Sequence, residues 1–240
     1  MTVVKSAIVL AAGQGERMRP LTLRVPKPLV PLAGRPLLDH VLDRLAAAGV
    51  ETAIVNVHYL PDRLESHLRK RKGRPAIVIS DEREALLDTG GGVVKALPRL
   101  GDGPFFVHNS DSVWVEGTVP ALSAMATLWD PERMDCLLLL APLATSLGFG
   151  GRGDFDMDAT GRLTRRGDRE GVPFAFAGVS ICDARLFEGA PAGAFSLNLL
   201  WDRALERKRL FGMRLDGRWM HVGTVAALKE AEEAFEREGA

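Results

Sequence analysis

The segment Leu10-Ala-Ala-Gly-Gln-Gly-Glu-Arg-Met-Arg19 constrains this chain more than any other. It extends the apolar run Ala7-Ile8-Val9 and closes it with Gly13 and Gly15. A β-branched apolar run ending in glycine reads as a buried strand entering a loop. Glycines at that junction permit dihedrals and close approaches that a Cβ forbids, so successive backbone N–H groups can face an anion. Arg17 and, ten residues later, Lys27 between Pro26 and Pro28 set fixed positive charge beside the loop. The combination predicts a phosphate-handling site. It is not the dinucleotide fingerprint, because Met18 stands where the third glycine belongs. Nor is it a Walker loop, because no Gly-Lys-Ser/Thr follows.

Strand and helix signals alternate from there. Strands are expected at 3–10, 52–57, 76–80, 105–108 and 136–140, and helices at 36–48, 61–72, 89–97 and 120–129. Leu38, Val41, Leu42, Leu45 and Ala48 fall at helical spacing, and Gly49 stops that helix. The alternation predicts an α/β fold with a doubly wound, mixed but mostly parallel sheet flanked by helices. Beyond residue 145 the pattern shortens. Strands are expected at 154–158, 162–164 and 174–181, and a hairpin of 210–216 with 218–222 is expected to turn at Asp216-Gly217. Helices at 197–207 and 224–238 flank it. Nothing reads as a linker, so residues 1–240 are expected to form a single domain.

Thirty-one Lys and Arg balance thirty-one Asp and Glu, so no global field draws the chain to nucleic acid or an anionic membrane. Phosphate binding must be local. Cys136 and Cys182 form no CxxC pair, which fits a reducing, cytoplasmic setting better than a disulfide framework. No signal peptide is expected, and the apolar stretch 136–143 is too short to span a bilayer. The four tryptophans show no stacking stripe. A monomer or weak dimer is expected, with small-molecule partners.

The loop, its Pro20-Leu21-Thr22 continuation and Pro26-Lys27-Pro28-Leu29 together resemble the signature of sugar-1-phosphate nucleotidyltransferases. Asn109-Ser110-Asp111 and Val222-Gly223-Thr224 extend the resemblance over nearly the whole chain. It is closest to short members without a hexapeptide-repeat domain. Asp88-Thr89-Gly90-Gly91-Gly92, Gly151-Arg152-Gly153-Asp154-Phe155 and Gly193-Ala194-Phe195 are similar to the branch that uridylylates N-acetylmuramate α-1-phosphate. The resemblance implies a Rossmann-like nucleotide-binding half over about 1–145. The remainder, about 146–240, would be a small β-rich sugar-binding half of glycosyltransferase-A-like character.

The resemblance also implies roles. The nucleotide would lie against Leu10, Ala11, Ala12, Gly13, Gly15, Glu16 and Gly90, and the sugar phosphate against Asn109, Asp154 and Gly178. Arg17, Lys27 and Asp111 would carry catalysis. Arg17 suits the β- and γ-phosphates because its fork holds two oxygens, and Lys27 suits the point where two anionic substrates meet. Asp111 is a natural Mg²⁺ ligand. One departure stands out: family members carry a second metal-binding aspartate where this chain has His221. His221 is left with three readings, as a metal ligand, a phosphate contact when protonated, or a filled corner. Imidazole favours softer divalent metals, so Mn²⁺ is expected to be tolerated or preferred. Asp154 is read equally as a sugar contact or as a polar residue opening a strand.

The leading expectation is uridylyl transfer from UTP to that sugar phosphate. Mannose-1-phosphate guanylyl transfer and glucose-1-phosphate uridylyl or thymidylyl transfer are the alternatives within the family. A catalytically silent nucleotide-sugar-binding regulator is the alternative of another class, and a dehydrogenase is a third.

Overall fold

A computed structural model describes residues 3–238, so the extreme ends of the expected 1–240 domain lie outside the described residues. In chain order the elements are β1 (Ser6–Leu10), β2 (Pro31–Leu32), β3 (Arg35–Pro36), α1 (Leu37–Ala47), β4 (Thr52–Val57), α2 (Pro61–Lys70) and β5 (Ala76–Asp81). Then come α3 (Asp88–Leu100), β6 (Phe105–Asn109), β7 (Ser112–Glu116), α4 (Ala121–Leu128), β8 (Cys136–Pro142), β9 (Phe155–Met157) and β10 (Leu163–Arg165). The chain closes with β11 (Phe174–Cys182), α5 (Asn198–Glu206), β12 (Leu210–Arg214), β13 (Gly217–His221) and α6 (Val225–Glu238).

Nine strands make the main sheet among the described residues, in the order β10-β9-β11-β6-β1-β4-β5, with β8 and β12 branching from β11. Strands β6, β1, β4 and β5 run parallel. Strand β11 turns antiparallel against β6 along one edge and against β8 along the other. The apolar runs are continuous because successive side chains enter opposite layers. Ala7 and Val9 join the layer holding Leu38, Val41 and Leu42 of α1 and Leu64 of α2, whereas Ile8 joins Val93 and Ala96 of α3 and Leu200 of α5. Strand β8 divides likewise, Leu137 and Leu139 to the first layer, Leu138 and Leu140 to the second. Each such side chain is fully buried, and each Val, Leu and Ile among them stabilises the fold by about 1.5–3 kcal/mol relative to exposure. A third cluster joins Ala231, Ala234 and Phe235 of α6 to Met18, Leu32, Val113 and Met220. The loop after β1 is anchored there through Met18.

One expectation needs correction. Residues 210–216 and 218–222 form no hairpin. Strand β12 runs parallel to β8 inside the main sheet, whereas β13 pairs antiparallel with β7 in a separate two-stranded sheet. The turn chemistry of Asp216-Gly217 is local, and burial decides the pairing. Leu210 and Phe211 are almost fully buried, which requires cover from the main sheet, and Trp219 and Met220 are buried on β13. Strand β7, built on the apolar run Val113-Trp114-Val115, has no counterpart among the expected strands, and it leaves only Ser110 and Asp111 between β6 and β7.

Two core positions make measurable statements. Gly178 lies at φ +83 where β11 shifts register between Phe176 and Ser180, and a Cβ there would stand 2.7 Å from Ser112 Cβ. Gly178→Ala is expected to cost about 2 kcal/mol in urea unfolding. Gly103→Ala, in open space, should change stability by less than about 0.5 kcal/mol. His108 on β6 is fully buried and stacks on Trp114 at 5.7 Å, with Nε2 unpartnered. Burial lowers its pKa to about 4. Between pH 6.5 and 4 the unfolded chain therefore holds a proton that the folded chain refuses, and stability falls as pH drops through that window. Urea unfolding at pH 7 and pH 4.5 should show wild type losing about 2 kcal/mol more than His108→Gln; equal losses would contradict this assignment.

Candidate active site

A cleft of about 710 Å³ opens at the carboxyl ends of β1, β4 and β6, where open α/β sheets place their ligands. Residues 10–18, Lys27, Asn109 and Asp111 line it, so most of the expected nucleotide positions share one cavity with the expected catalytic trio. Asn56, Leu86, Asp88, Thr89 and Gly223 also line it, beside Pro28 and Ser110. Asp88, Thr89 and Gly223 belong to the motifs of the resemblance without an assigned contact, whereas Asn56 and Leu86 lie outside every motif. Asn56 carried a signal, being a polar residue inside the apolar strand Thr-Ala-Ile-Val-Asn-Val.

The loop after β1 is folded back on itself. Gly15 adopts φ +65, and a Cβ there would lie 3.0 Å from both Lys27 Cβ and Thr22 Cγ2. Thr22 Oγ1 donates to the Gly15 carbonyl at 2.8 Å. This close approach brings the glycine turn against Lys27. Met18 is fully buried, while Arg17 beside it is exposed and lines the cleft. Glu16, also exposed, meets Arg19 at 3.4 Å. Buried Pro26 and Pro28 restrict the backbone on either side of Lys27, which limits the entropy lost in holding its long side chain.

Asp111 sits in the two-residue connection between β6 and β7, and the Ser110 N–H donates to the Leu10 carbonyl at 3.1 Å. That bond ties the turn to the end of β1. Lys27 Nζ donates to Asp111 Oδ2, with the two side chains only 13% and 27% exposed. Burial works to raise the Asp111 carboxyl, but the charge and hydrogen bond of Lys27, with His221 assisting, outweigh it and hold the group below the ordinary carboxylate range. Asp111 is thus an anion near neutral pH, matched to a cation that comes from a different part of the chain.

His221 ends β13 half-buried between Phe149 and Trp219, at ring-centroid distances of 5.8 and 5.4 Å. Burial lowers its pKa; Lys27 and Arg17 add to the effect and Asp111 and Asp154 oppose it. The neutral ring therefore lies within electrostatic reach of all four. A Cβ on Gly223 would stand 2.6 Å from His221 Nε2 and 3.5 Å from an Arg17 guanidinium nitrogen, so the missing side chain opens the cleft between them. Asp154 stands outside the cleft lining, and its Oδ2 accepts the Phe176 N–H at 2.8 Å.

Two glycines are small for a different reason from the one expected. A Cβ on Gly90 would meet the Phe195 ring at 2.3 Å, so Phe195 covers it, and Asp88 and Thr89 line the cleft in its place. At Gly178 the close neighbours are Ser112 and the Asn109 amide. Packing against protein, rather than ligand approach, accounts for both.

Fold and cleft together define an α/β protein with a glycine-loop cleft at the carboxyl ends of its parallel strands, the place where such sheets hold ligands. The nucleotidyl transferase family model matches residues 6–150. The chain is 50% identical over 231 residues to an N-acetylmuramate alpha-1-phosphate uridylyltransferase of Caulobacter vibrioides, covering 95% of this chain and 96% of that one. It is 35% identical to the protein of that name from Neisseria meningitidis, over 94% and 96%. An apo UDP-glucose pyrophosphorylase shares the fold at TM-score 0.80 and 17% identity, covering 99% of this chain and 100% of that one. The chain belongs to the sugar-1-phosphate nucleotidyltransferase family.

The Lys27–Asp111 pair makes a thermodynamic prediction. Removing one partner of a desolvated pair strands the other charge, whereas removing both does not. Lys27→Met and Asp111→Asn should each destabilise the protein, with a coupling of about 1–2 kcal/mol in a double-mutant unfolding cycle. Additive effects would show that the pair is not coupled.

Proposed function

We propose that the protein joins UTP and N-acetylmuramate α-1-phosphate to give UDP-N-acetylmuramate and pyrophosphate. The observation that carries this reading is the Lys27–Asp111 pair on the wall of the cleft formed by the glycine loop and Arg17. The choice of base and sugar rests on the two uridylyltransferase relatives, each matched along nearly the full length of both chains. In the reaction a phosphate oxygen of the sugar phosphate attacks the α-phosphorus of UTP. The bond from that phosphorus to the oxygen bridging the β-phosphate breaks, and the electron pair leaves with pyrophosphate. The attacking phosphate is already ionised near neutral pH, so no general base is needed, and the protein supplies position and charge. Arg17 holds the departing β- and γ-phosphates with its fork. Lys27 neutralises charge where the two anions meet. Asn109 and the free oxygen of Asp154 are the groups assigned to sugar hydroxyls, with Gly178 shaping the Asn109 side.

The residues present fit a divalent metal that arrives with its substrate. Among the described residues no group of three or more His, Cys, Asp and Glu could hold an ion alone. Mg²⁺ typically takes one or two carboxylates and completes its shell with substrate phosphates and water. Asp111 would supply the carboxylate and His221 a nitrogen donor. When bound, the ion would neutralise phosphate charge during transfer. The nitrogen donor leads us to expect Mn²⁺ to serve at least as well as Mg²⁺. The same reading carries a cytoplasmic role in peptidoglycan recycling, as a monomer or weak dimer. No described helix is long and apolar enough to cross a membrane.

Pyrophosphate release from four nucleoside triphosphates against several sugar 1-phosphates tests the reading. UTP with the muramate phosphate should be fastest, Lys27→Ala should lower that rate by about 10²–10³-fold, and Mn²⁺ should match or exceed Mg²⁺. Dominance of GTP with mannose 1-phosphate would replace the substrates and keep the reaction class. Release from no pair would leave the silent-regulator alternative.

A further inference from the structure

Asn56 lies in β4 and Glu82 immediately follows β5, at the carboxyl ends of adjacent parallel strands. Their side chains are buried, the residues being 2% and 1% exposed. Asn56 Oδ1 accepts the Ala11 N–H at 2.6 Å, and Asn56 Nδ2 donates to Glu82 Oε1 at 2.8 Å. Glu82 Oε2 then accepts the Leu87 N–H at 3.2 Å. Three hydrogen bonds thus run from the glycine loop to the segment that enters α3. Ala11 and Ala12 line the cleft at one end of this chain of bonds, and Leu86, Asp88 and Thr89 line it at the other. A buried carboxylate is tolerated only when its acceptors are filled, and this one is filled by groups that belong to two cleft walls. A Cβ on Gly92 would stand 2.9 Å from Asn56 Nδ2 and 3.0 Å from Glu82 Oε1, so that glycine leaves room for the bond.

We propose that Asn56 and Glu82 are positioning residues: they lock the two walls of the nucleotide side together and thereby set affinity for the nucleoside triphosphate, not for the sugar phosphate. The proposal rests on the nucleotidyl-transfer reading. Its logic is one of donors and acceptors. In Glu82→Gln one of two filled acceptors becomes a donor. In Asn56→Asp two carboxylate oxygens face each other. In the double variant the introduced carboxylate accepts from the Ala11 N–H and from the introduced amide, whose oxygen accepts from the Leu87 N–H. All three bonds then return with their middle one reversed and net charge kept.

Steady-state kinetics and amide hydrogen exchange on the full chain test this. Each single variant should raise the KM for UTP about tenfold, leave the KM for the sugar phosphate unchanged, and speed exchange at residues 11–15 and 86–89. The double variant should restore both readouts. Should the single variants fail to fold, Gly92→Ala, which presses on the bond without removing a polar group, should give the same pattern. Unchanged KM and exchange in the single variants, lower stability with unchanged KM, or a double variant no better than the worse single would overturn the proposal. If wild type releases no pyrophosphate from any pair, the reaction reading fails, while exchange in the same variants still decides whether the bracket orders the walls.

Discussion

The ion pair between Lys27 and Asp111 is the contact on which the site's arrangement depends. Two opposite charges, each mostly shielded from water, are tolerable there only because each faces the other. Lys27 comes from the proline-flanked segment after the glycine loop, and Asp111 from the turn after β6. Their attraction therefore fixes the loop against the strand ends. It also stores a matched anion and cation where, in the proposed reaction, phosphates and a metal ion would arrive. Arriving substrate would replace one set of opposite charges by another, which keeps the desolvation cost of an ionised cleft low.

The sheet makes that pairing possible. Parallel strands bury both faces, so β1, β4 and β6 are locked between two helical layers and end at one common edge. The cleft is then lined by the loops at that edge. Met18 anchors the glycine loop in the cluster under α6, and the Ser110 amide holds the opposite turn to Leu10. The pairing of β13 with β7 brings His221 to the same place, because β7 begins immediately after Asp111. One short sheet thus carries His221, at the position where the sequence resemblance implies an aspartate, into electrostatic reach of Lys27, Arg17 and Asp111.

What could be read from the chain follows from how local each determinant is. The parallel strands and α1 were legible because their apolar spacing is set by burial on known faces. Arg17, Lys27, Asn109 and Asp111 were legible as a motif, and the structure brings all four to one cleft. The course of 210–222 was not, since a turn signal at Asp216-Gly217 says nothing about which sheet each strand joins. Gly90 and Gly178 were read as room for ligand, but Phe195 and Ser112 occupy that room, and neither neighbour is close in sequence. Asn56 was overlooked for a similar reason: its partners, Ala11 and Glu82, are 45 and 26 residues away.

In the proposed reaction the cleft supplies charge and position, and no covalent step is needed. Lys27 Nζ donates to Asp111, and the His221 ring is packed against Phe149 and Trp219. The proposed reaction is a single in-line displacement at the α-phosphorus, with Lys27 acting through its charge. The most direct measurement is the stereochemical course with a nucleoside triphosphate bearing one sulfur on the α-phosphorus. Inversion in the sugar-nucleotide product is the predicted result; retention would signal a nucleotidyl-enzyme intermediate and contradict the account.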